Sequence, residues 1–124
     1  MSRSPTDADW SGRARGRWGE DRAAARYRML GFDVVGRNWR SPERELPGEL
    51  DVIARRGDLV VFCEVKARSR VGRALWSVRE DKQARVRALA EAWLRSSGLD
   101  GQVDVRFDVI AIDGVRLEQY ESAF

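Results

Sequence analysis

The chain of 124 residues contains no histidine. That absence excludes Ser-His-Asp hydrolysis, Cys-His proteolysis, HNH-type nuclease chemistry and histidine-ligated zinc together. There is one cysteine, Cys63, so no internal disulfide can form. A buried thiol in a reducing cytoplasm is its expected role. No apolar run approaches the roughly 18 residues that a membrane span requires. The first residues lack the apolar stretch of a secretory signal, and a cytoplasmic location is expected. No glycine-rich phosphate loop of Walker or Rossmann spacing is present. Carboxylates, lysines and hard cations are what remain for chemistry.

What is present is a heavily charged globular sequence. Hydrophobic residues make up 43% and charged residues 35%, enough for one domain with a real core. The net charge of +3 is unevenly spread. Residues 66–87 carry eight cations (Lys66, Arg68, Arg70, Arg73, Arg79, Lys82, Arg85 and Arg87) against Glu80 and Asp81, a net +6. Residues 100–124 carry Arg106 and Arg116 against six acids, a net −4. A basic block suits a polyanion that must approach carboxylates, because the flanking charge holds phosphates that the acids would repel. A solvated, arginine-rich surface would leave the same trace.

The block follows a stretch around which the chain is organised. Leu50 to Arg55 and Leu59 to Lys66 are rich in Val, Ile, Leu and Phe, with Gly57-Asp58 between them. Such a pair between two β-like runs is a hairpin signal. With Gly57 and Asp58 as the turn, Arg56 pairs with Leu59, and counting outward puts Asp51 opposite Glu64. Cross-strand partners share a face, and so do residues two apart. Asp51, Glu64 and Lys66 are therefore expected on one side. Any even-numbered loop preserves this, whereas an odd-numbered loop or a bulge breaks it. A half-wet strand would also alternate in this way. Here, however, the same face holds Val60 and Phe62, so the charges cluster at one end of an apolar surface. Unpaired charges there would lose several kcal/mol of hydration, and this favours a site.

The other elements follow in chain order. Residues 1–12 are polar and mixed in charge, and a loose tail is expected. A helix is predicted from about Arg13 to Leu30, stopped by Gly31. Ala23, Ala24, Tyr27 and Leu30 form its apolar stripe, with Glu20 at the head of that stripe. As an isolated feature, Glu20 would read as a first-turn glutamate favouring the helix dipole. Phe32 to Arg40 is predicted as a strand and Ser41 to Pro47 as a loop. After the hairpin, Ala67 to Leu75 is a basic connection. Ser77-Val78-Arg79-Glu80 is a capping box that opens a second helix running to about Ser97. Val86, Leu89, Ala90, Trp93 and Leu94 form its buried face. Gln83 lies on the edge of that face near the helix start, where an ordinary polar residue would also fit. Val103 to Ile112 is a strand, and Asp113-Gly114 lets Val115 to Tyr120 pair back as a short edge strand. The sequence thus predicts an α/β domain over residues 13–124 in the order α-β-β-β-α-β plus an edge strand. A mixed sheet flanked by helices is expected.

Asp51, twelve residues, then Glu64-Val65-Lys66 matches the PD-(D/E)xK nuclease pattern. As a string this is weak. It gains weight from the element order, the shared face and the absence of histidine. Further stretches carry a more specific resemblance. They are Arg17-Trp18-Gly19-Glu20-Asp21-Arg22-Ala23-Ala24, Gly31-Phe32, Arg37-Asn38-Trp39-Arg40 and Gly48-Glu49-Leu50-Asp51-Val52-Ile53-Ala54-Arg55. Val61-Phe62-Cys63-Glu64-Val65-Lys66-Ala67-Arg68-Ser69, Asp81-Lys82-Gln83, Arg106-Phe107-Asp108-Val109 and Glu121-Ser122-Ala123-Phe124 complete the set. Together they resemble the YraN family of bacterial proteins over about residues 13–124. That family is similar to the archaeal Holliday junction resolvases, which are dimeric, magnesium-dependent PD-(D/E)xK nucleases. One departure is local: Gly48-Glu49 precedes Leu50-Asp51, and Pro47 lies four residues ahead of Asp51, so the literal Pro-Asp is absent.

The resemblance implies a restriction-endonuclease-like core and a metal-dependent DNA endonuclease, structure-selective and acting on branched DNA or Holliday junctions. It implies Asp51 and Glu64 as metal-binding acids, Glu20 as the helix-borne acid and Lys66 as the catalytic lysine. Mg²⁺ or Mn²⁺ would take oxygen ligands from Asp51, Glu64 and the Val65 carbonyl at about 2.1 Å. Glu20 would bind the same ion or a second one. Lys66 would stabilise charge on the phosphate, and Gln83 would support the nucleophile or hold the phosphate. Arg68, Arg70, Arg73, Arg79, Lys82, Arg85 and Arg87 would grip backbone phosphates of nucleic acid without reading bases. A homodimer follows from the resolvase similarity, because cutting two symmetric strands needs two sites. Two alternatives stand beside this reading. One is a non-catalytic nucleic-acid-binding module on the same fold. The other is an interaction protein whose acids hold only a structural cation.

Overall fold

A computed structural model describes residues 12–67 and 80–124 of the chain. Its elements run α1 (Gly12–Met29), β1 (Asp33–Trp39), β2 (Leu50–Arg56), β3 (Leu59–Ala67), α2 (Glu80–Ser96), β4 (Asp104–Asp113) and β5 (Arg116–Tyr120). The predicted order α-β-β-β-α-β with an added edge strand is the one observed. The expected loose tail at residues 1–12 lies outside the described residues apart from Gly12, which opens α1. The connection after Ala67 and the Ser77-Val78-Arg79 part of the capping box also lie outside them.

The five strands form one mixed sheet in the order β1-β2-β3-β4-β5. Every neighbouring pair is antiparallel except β3 and β4, which run parallel. A parallel pair needs a long crossover, and α2 lies within that connection. The chain thus forms three layers, because the two sheet faces are covered by different helices. On one face Val86, Leu89, Ala90 and Trp93 of α2 pack with Ile53, Val60, Phe62 and Phe107. Phe62 meets Trp93 edge-on at 5.8 Å and stacks on Phe107 at 5.7 Å. On the other face Ala23 and Tyr27 of α1 pack with Val52, Ala54, Val61, Cys63, Ile110 and Ile112. Cys63 is free and buried, as expected of a lone thiol in a core.

Both helices stop for the same physical reason. Gly31 and Gly98 adopt left-handed φ values of 88° and 70°, which a Cβ would oppose. Each glycine is followed by the paired hydrogen bonds of a Schellman cap. Phe32 N–H donates to Tyr27 O (2.9 Å) and Gly31 N–H to Arg28 O (3.0 Å). Leu99 N–H donates to Leu94 O and Gly98 N–H to Arg95 O at the end of α2.

Two local features of the sheet aim the functional side chains. The β2–β3 ladder runs from Arg56↔Leu59 to Val52↔Cys63, so Gly57-Asp58 is the two-residue turn and the next outward position holds Asp51 and Glu64. In β1 the register shifts between Val34 and Gly36. Beyond that bulge Arg37 pairs with Val52 and Trp39 with Leu50, so Asn38 occupies the position opposite Asp51. Asn38, Asp51 and Glu64 therefore form a row across three strands.

A buried polar knot closes the C-terminal side. Asp108 is fully buried and accepts from Tyr27 Oη (2.6 Å), Arg106 Nε (2.9 Å) and Arg106 Nη2 (2.8 Å). The Ser122 N–H also reaches it at 3.1 Å. Nearby, Phe124 stacks on Phe107 at 5.3 Å, and Ala123 N–H donates to Phe107 O. The terminal Glu121-Ser122-Ala123-Phe124 segment is thereby fastened to β4. A satisfied buried carboxylate of this kind fixes one arrangement of the surrounding chain.

Candidate active site

The row across the sheet ends in a cluster of acids and lysines drawn from four elements. β2 supplies Asp51, and β3 supplies Glu64 and Lys66. α1 brings Glu20 and α2 brings Lys82. The loop into β2 adds Glu49. Glu20 and Glu64 are each only 7% exposed, unusual for carboxylates unless partnered.

The partners divide the cluster into two halves. In the first, Glu20, Glu49 and Asp51 each place a carboxylate oxygen within 4.8 Å of the others. Asn38 Nδ2 donates to Glu20 Oε1 at 2.8 Å and to Glu49 Oε1 at 3.3 Å. Arg40 Nε pairs with Glu49 Oε2 at 3.0 Å. Asn38 itself holds a left-handed φ of 49°, a conformation that asparagine tolerates better than most side chains. In the second half, Glu64 Oε1 faces two ammonium groups, Lys82 Nζ at 2.7 Å and Lys66 Nζ at 3.6 Å. Asp51 joins the halves. Its Oδ2 accepts the Val65 N–H at 2.9 Å across the hairpin, and it feels the charges of both Glu64 and Glu20.

The electrostatics follow from burial and crowding. Burial pushes the Asp51 carboxyl well above its ordinary range, and the neighbouring Glu64 charge pushes it further. The Val65 N–H opposes this by stabilising the carboxylate. Burial also raises Glu20, with the Asn38 hydrogen bond pulling the other way. Lys66 is lowered, first by burial and then by the adjacent Lys82. Lys82 differs: burial would lower it, but the hydrogen bond and charge of Glu64 outweigh that and raise it.

Of the residues expected from sequence, Glu20, Asp51, Glu64, Lys66 and Val65 come together here. Gln83 is part-buried on α2, next in sequence to Lys82. Lys82, one of the cations assigned to phosphate, pairs with Glu64 at 2.7 Å. Arg85 is exposed on α2. The Arg87 guanidinium sits 4.7 Å over the Phe107 ring and 5.8 Å from that of Phe124, so it is engaged with the C-terminal segment. Arg68, Arg70, Arg73 and Arg79 lie outside the described residues.

Sequence reasoning passed over two members, Glu49 and Asn38. Glu49 is two residues from Asp51, a spacing that shares a face in a strand, and this signal was available. Asn38 could not be found the same way, because its place depends on the bulge in β1. A surface groove of about 460 Å³ between α1 and β5 contains none of these residues. Its Arg22 and Arg26 are hydrogen-bonded to the carbonyls of Gly114 and Val115 and to Gln119. No helix among the described residues is long and apolar enough to cross a membrane.

Comparison with known proteins places this arrangement in a family. The model of the uncharacterised protein family UPF0102 matches residues 19–112, a span that takes in Glu20, Asp51, Glu64, Lys66 and Lys82. A UPF0102 protein of Acidothermus cellulolyticus is 42% identical over 127 residues, covering 90% of this chain and 93% of its own length. A UPF0102 protein of Rhodococcus jostii is 46% identical over 101 residues, covering 80% of this chain and 81% of its own. One from Streptomyces coelicolor is 40% identical over 108 residues, covering 85% and 81%. The chain therefore belongs to the uncharacterised protein family UPF0102, the YraN family that its motifs resemble.

Proposed function

We propose that this protein is a metal-dependent DNA endonuclease that hydrolyses phosphodiesters and selects its substrate by shape, with branched DNA preferred. The observation that carries the reading is the convergence at the end of the β2–β3 hairpin. Asp51 and Glu64 occupy facing register positions, Glu20 arrives from α1, and Lys66 stands 3.6 Å from Glu64. Two acids and a lysine on an otherwise apolar sheet face, with Glu20 of α1 brought against Asp51, suit phosphoryl chemistry and are costly as mere structure.

The donor set fits a hard divalent cation. All candidate ligands are oxygens, from carboxylates and the Val65 carbonyl, and no nitrogen or thiolate donor is among them. The upward push on Asp51 from burial and from Glu64 is a strain that Mg²⁺ or Mn²⁺ would relieve. Asp51 and Glu20 would hold the ion, with Glu49 inside the same 4.8 Å cluster, and Glu64 and the Val65 carbonyl would add ligands from β3. Such an ion, when bound, activates water and neutralises charge on the scissile phosphate. Lys66 brings a second positive charge to the phosphate oxygens. Its amine is held by burial in a narrow range of positions, which favours stabilising charge that develops during reaction. Gln83, on the same end of α2, would hold a phosphate oxygen or the attacking water.

The binding-module reading keeps one specific support. Lys82 already occupies Glu64 Oε1 at 2.7 Å, which a fold that had lost turnover would tolerate. Mg²⁺-dependent nicking of four-way junction and linear DNA separates the two. Cleavage that requires Mg²⁺ and favours the junction supports the enzyme. Tight, salt-sensitive binding without cleavage supports the module.

A further inference from the structure

Glu64 Oε1 is the most heavily subscribed atom of the site. Two ammonium groups face it, and they differ in how they are held. The Lys66 side chain is 14% exposed and rises from the same strand as Glu64. The Lys82 side chain is 38% exposed and reaches in from α2, one turn before Val86, the first residue of that helix buried in the core. Lys82 nevertheless makes the shorter contact, at 2.7 Å against 3.6 Å. Among the other acids of the cluster, Glu49 pairs with the Arg40 guanidinium at 3.0 Å. Asp51 accepts a backbone N–H, and Glu20 accepts a neutral amide. The acid whose charge is compensated by the ammonium best able to swing outward is thus Glu64.

We propose that Lys82 and a divalent cation exclude one another at Glu64, so that metal loading expels the Lys82 ammonium toward the substrate phosphate. The inference rests on the endonuclease reading and adds a control to its site. A carboxylate oxygen hydrogen-bonded to an ammonium at 2.7 Å offers its lone pairs less readily to a metal, and the two cations repel at that range. A cation that enters must therefore displace Lys82. The freed ammonium is on a flexible four-carbon stem at the edge of the cluster, suited to a phosphate as its next anion. Metal and phosphate uptake are then linked: whatever draws Lys82 away favours the ion, and the ion in turn releases Lys82 for phosphate. Lys66 lacks this freedom and stays beside Glu64 in both arrangements.

The test uses the full chain and needs no turnover. Calorimetry with Mn²⁺ compares the wild type with Lys82→Gln and Lys82→Arg, each checked for folding by thermal melt. Lys82→Gln is expected to bind Mn²⁺ about tenfold more tightly, the size of one charge-assisted hydrogen bond released. Lys82→Arg, which restores the ion pair, is expected to return the affinity to near the wild-type value. The wild type supplies a second readout independent of any variant. In a Mg²⁺ titration followed by carbon NMR of the lysine side chains, the Lys82 Cε resonance moves in step with saturation and moves further than that of Lys66. Wild type and Lys82→Gln binding Mn²⁺ equally, with an unmoved Lys82 resonance, would overturn this inference and leave the endonuclease reading standing. No uptake of Mn²⁺ by either protein would overturn both.

Discussion

Asn38 Nδ2 lies 2.8 Å from Glu20 Oε1, joining a strand residue in left-handed conformation to a helix-borne acid. Side chain and backbone requirements can be separated here. Asn38→Gly keeps the backbone comfortable and removes the amide, whereas Asn38→Ala removes the amide and adds steric strain. Asn38→Ala is expected to be less stable than Asn38→Gly by about 1 kcal/mol in urea denaturation. Equal stabilities would show that the left-handed backbone carries no cost at this position.

Acid crowding makes stability depend on pH in a defined sense. Asp51 and Glu20 have folded-state pKa values above their unfolded ones. Between those limits the folded protein binds more protons than the unfolded chain, so stability falls as pH rises through the folded values. The stabilising contribution is complete only below the ordinary carboxylate range. Asp51→Asn removes the ionisation while its amide oxygen can still accept the Val65 N–H. In the metal-free protein it is expected to raise Tm at pH 7 and to give little gain at pH 4. A variant less stable than wild type at pH 7 would contradict the assignment of Asp51 as a strained acid.

Lys66 is argued to act on the phosphate rather than on the fold. Lys66→Met conserves the stem packing and removes the charge. It is expected to fold, to take up Mn²⁺, and to lose about 10²-fold or more in Mg²⁺-dependent cleavage of junction DNA. Undiminished cleavage would remove Lys66 from the proposed machinery.

The cations of α2 divide by position. Arg85 and Arg87 are both exposed, but the Arg87 guanidinium also lies over Phe107 and Phe124. If Arg85 contacts a phosphate, Arg85→Ala reduces the salt slope of DNA binding by about 1. Arg87→Ala leaves that slope unchanged and instead loosens the C-terminal segment, lowering Tm. Fluorescence anisotropy over a range of salt concentrations, together with thermal melts, reads both effects.

Tyr27 donates to the fully buried Asp108 from the opposite layer. Tyr27→Phe leaves the carboxylate with Arg106, Ser122 and a long contact from Gln119 at 3.4 Å. A loss of about 1–3 kcal/mol in urea denaturation is expected, since one donor to a buried charge has been withdrawn. Asp108→Ala is expected to cost more, because Arg106 then loses its buried partner.

Much of this was decided locally, and for that reason the sequence alone determined it. Gly57-Asp58 fixed an even turn, and the two-residue period of a strand then placed Asp51 opposite Glu64 and Lys66 beside it. Gly31 ended α1 because it tolerates the left-handed angle that stops a helix. Asp113-Gly114 folded β5 back on β4 for reasons contained within a few residues. Other features depended on contacts between distant parts of the chain, which no local pattern encodes. The bulge in β1 brought Asn38 opposite Asp51. Packing of α2 delivered Lys82 to Glu64 instead of leaving it on a solvated basic face. Glu49 met Asn38 and Arg40 only when β1 paired with β2. Tyr27 and Asp108, 81 residues apart, met only because α1 covers the face on which Asp108 is buried. Tertiary packing decides such charges because burial removes water, and a charge without water must take whatever partner the fold sets beside it.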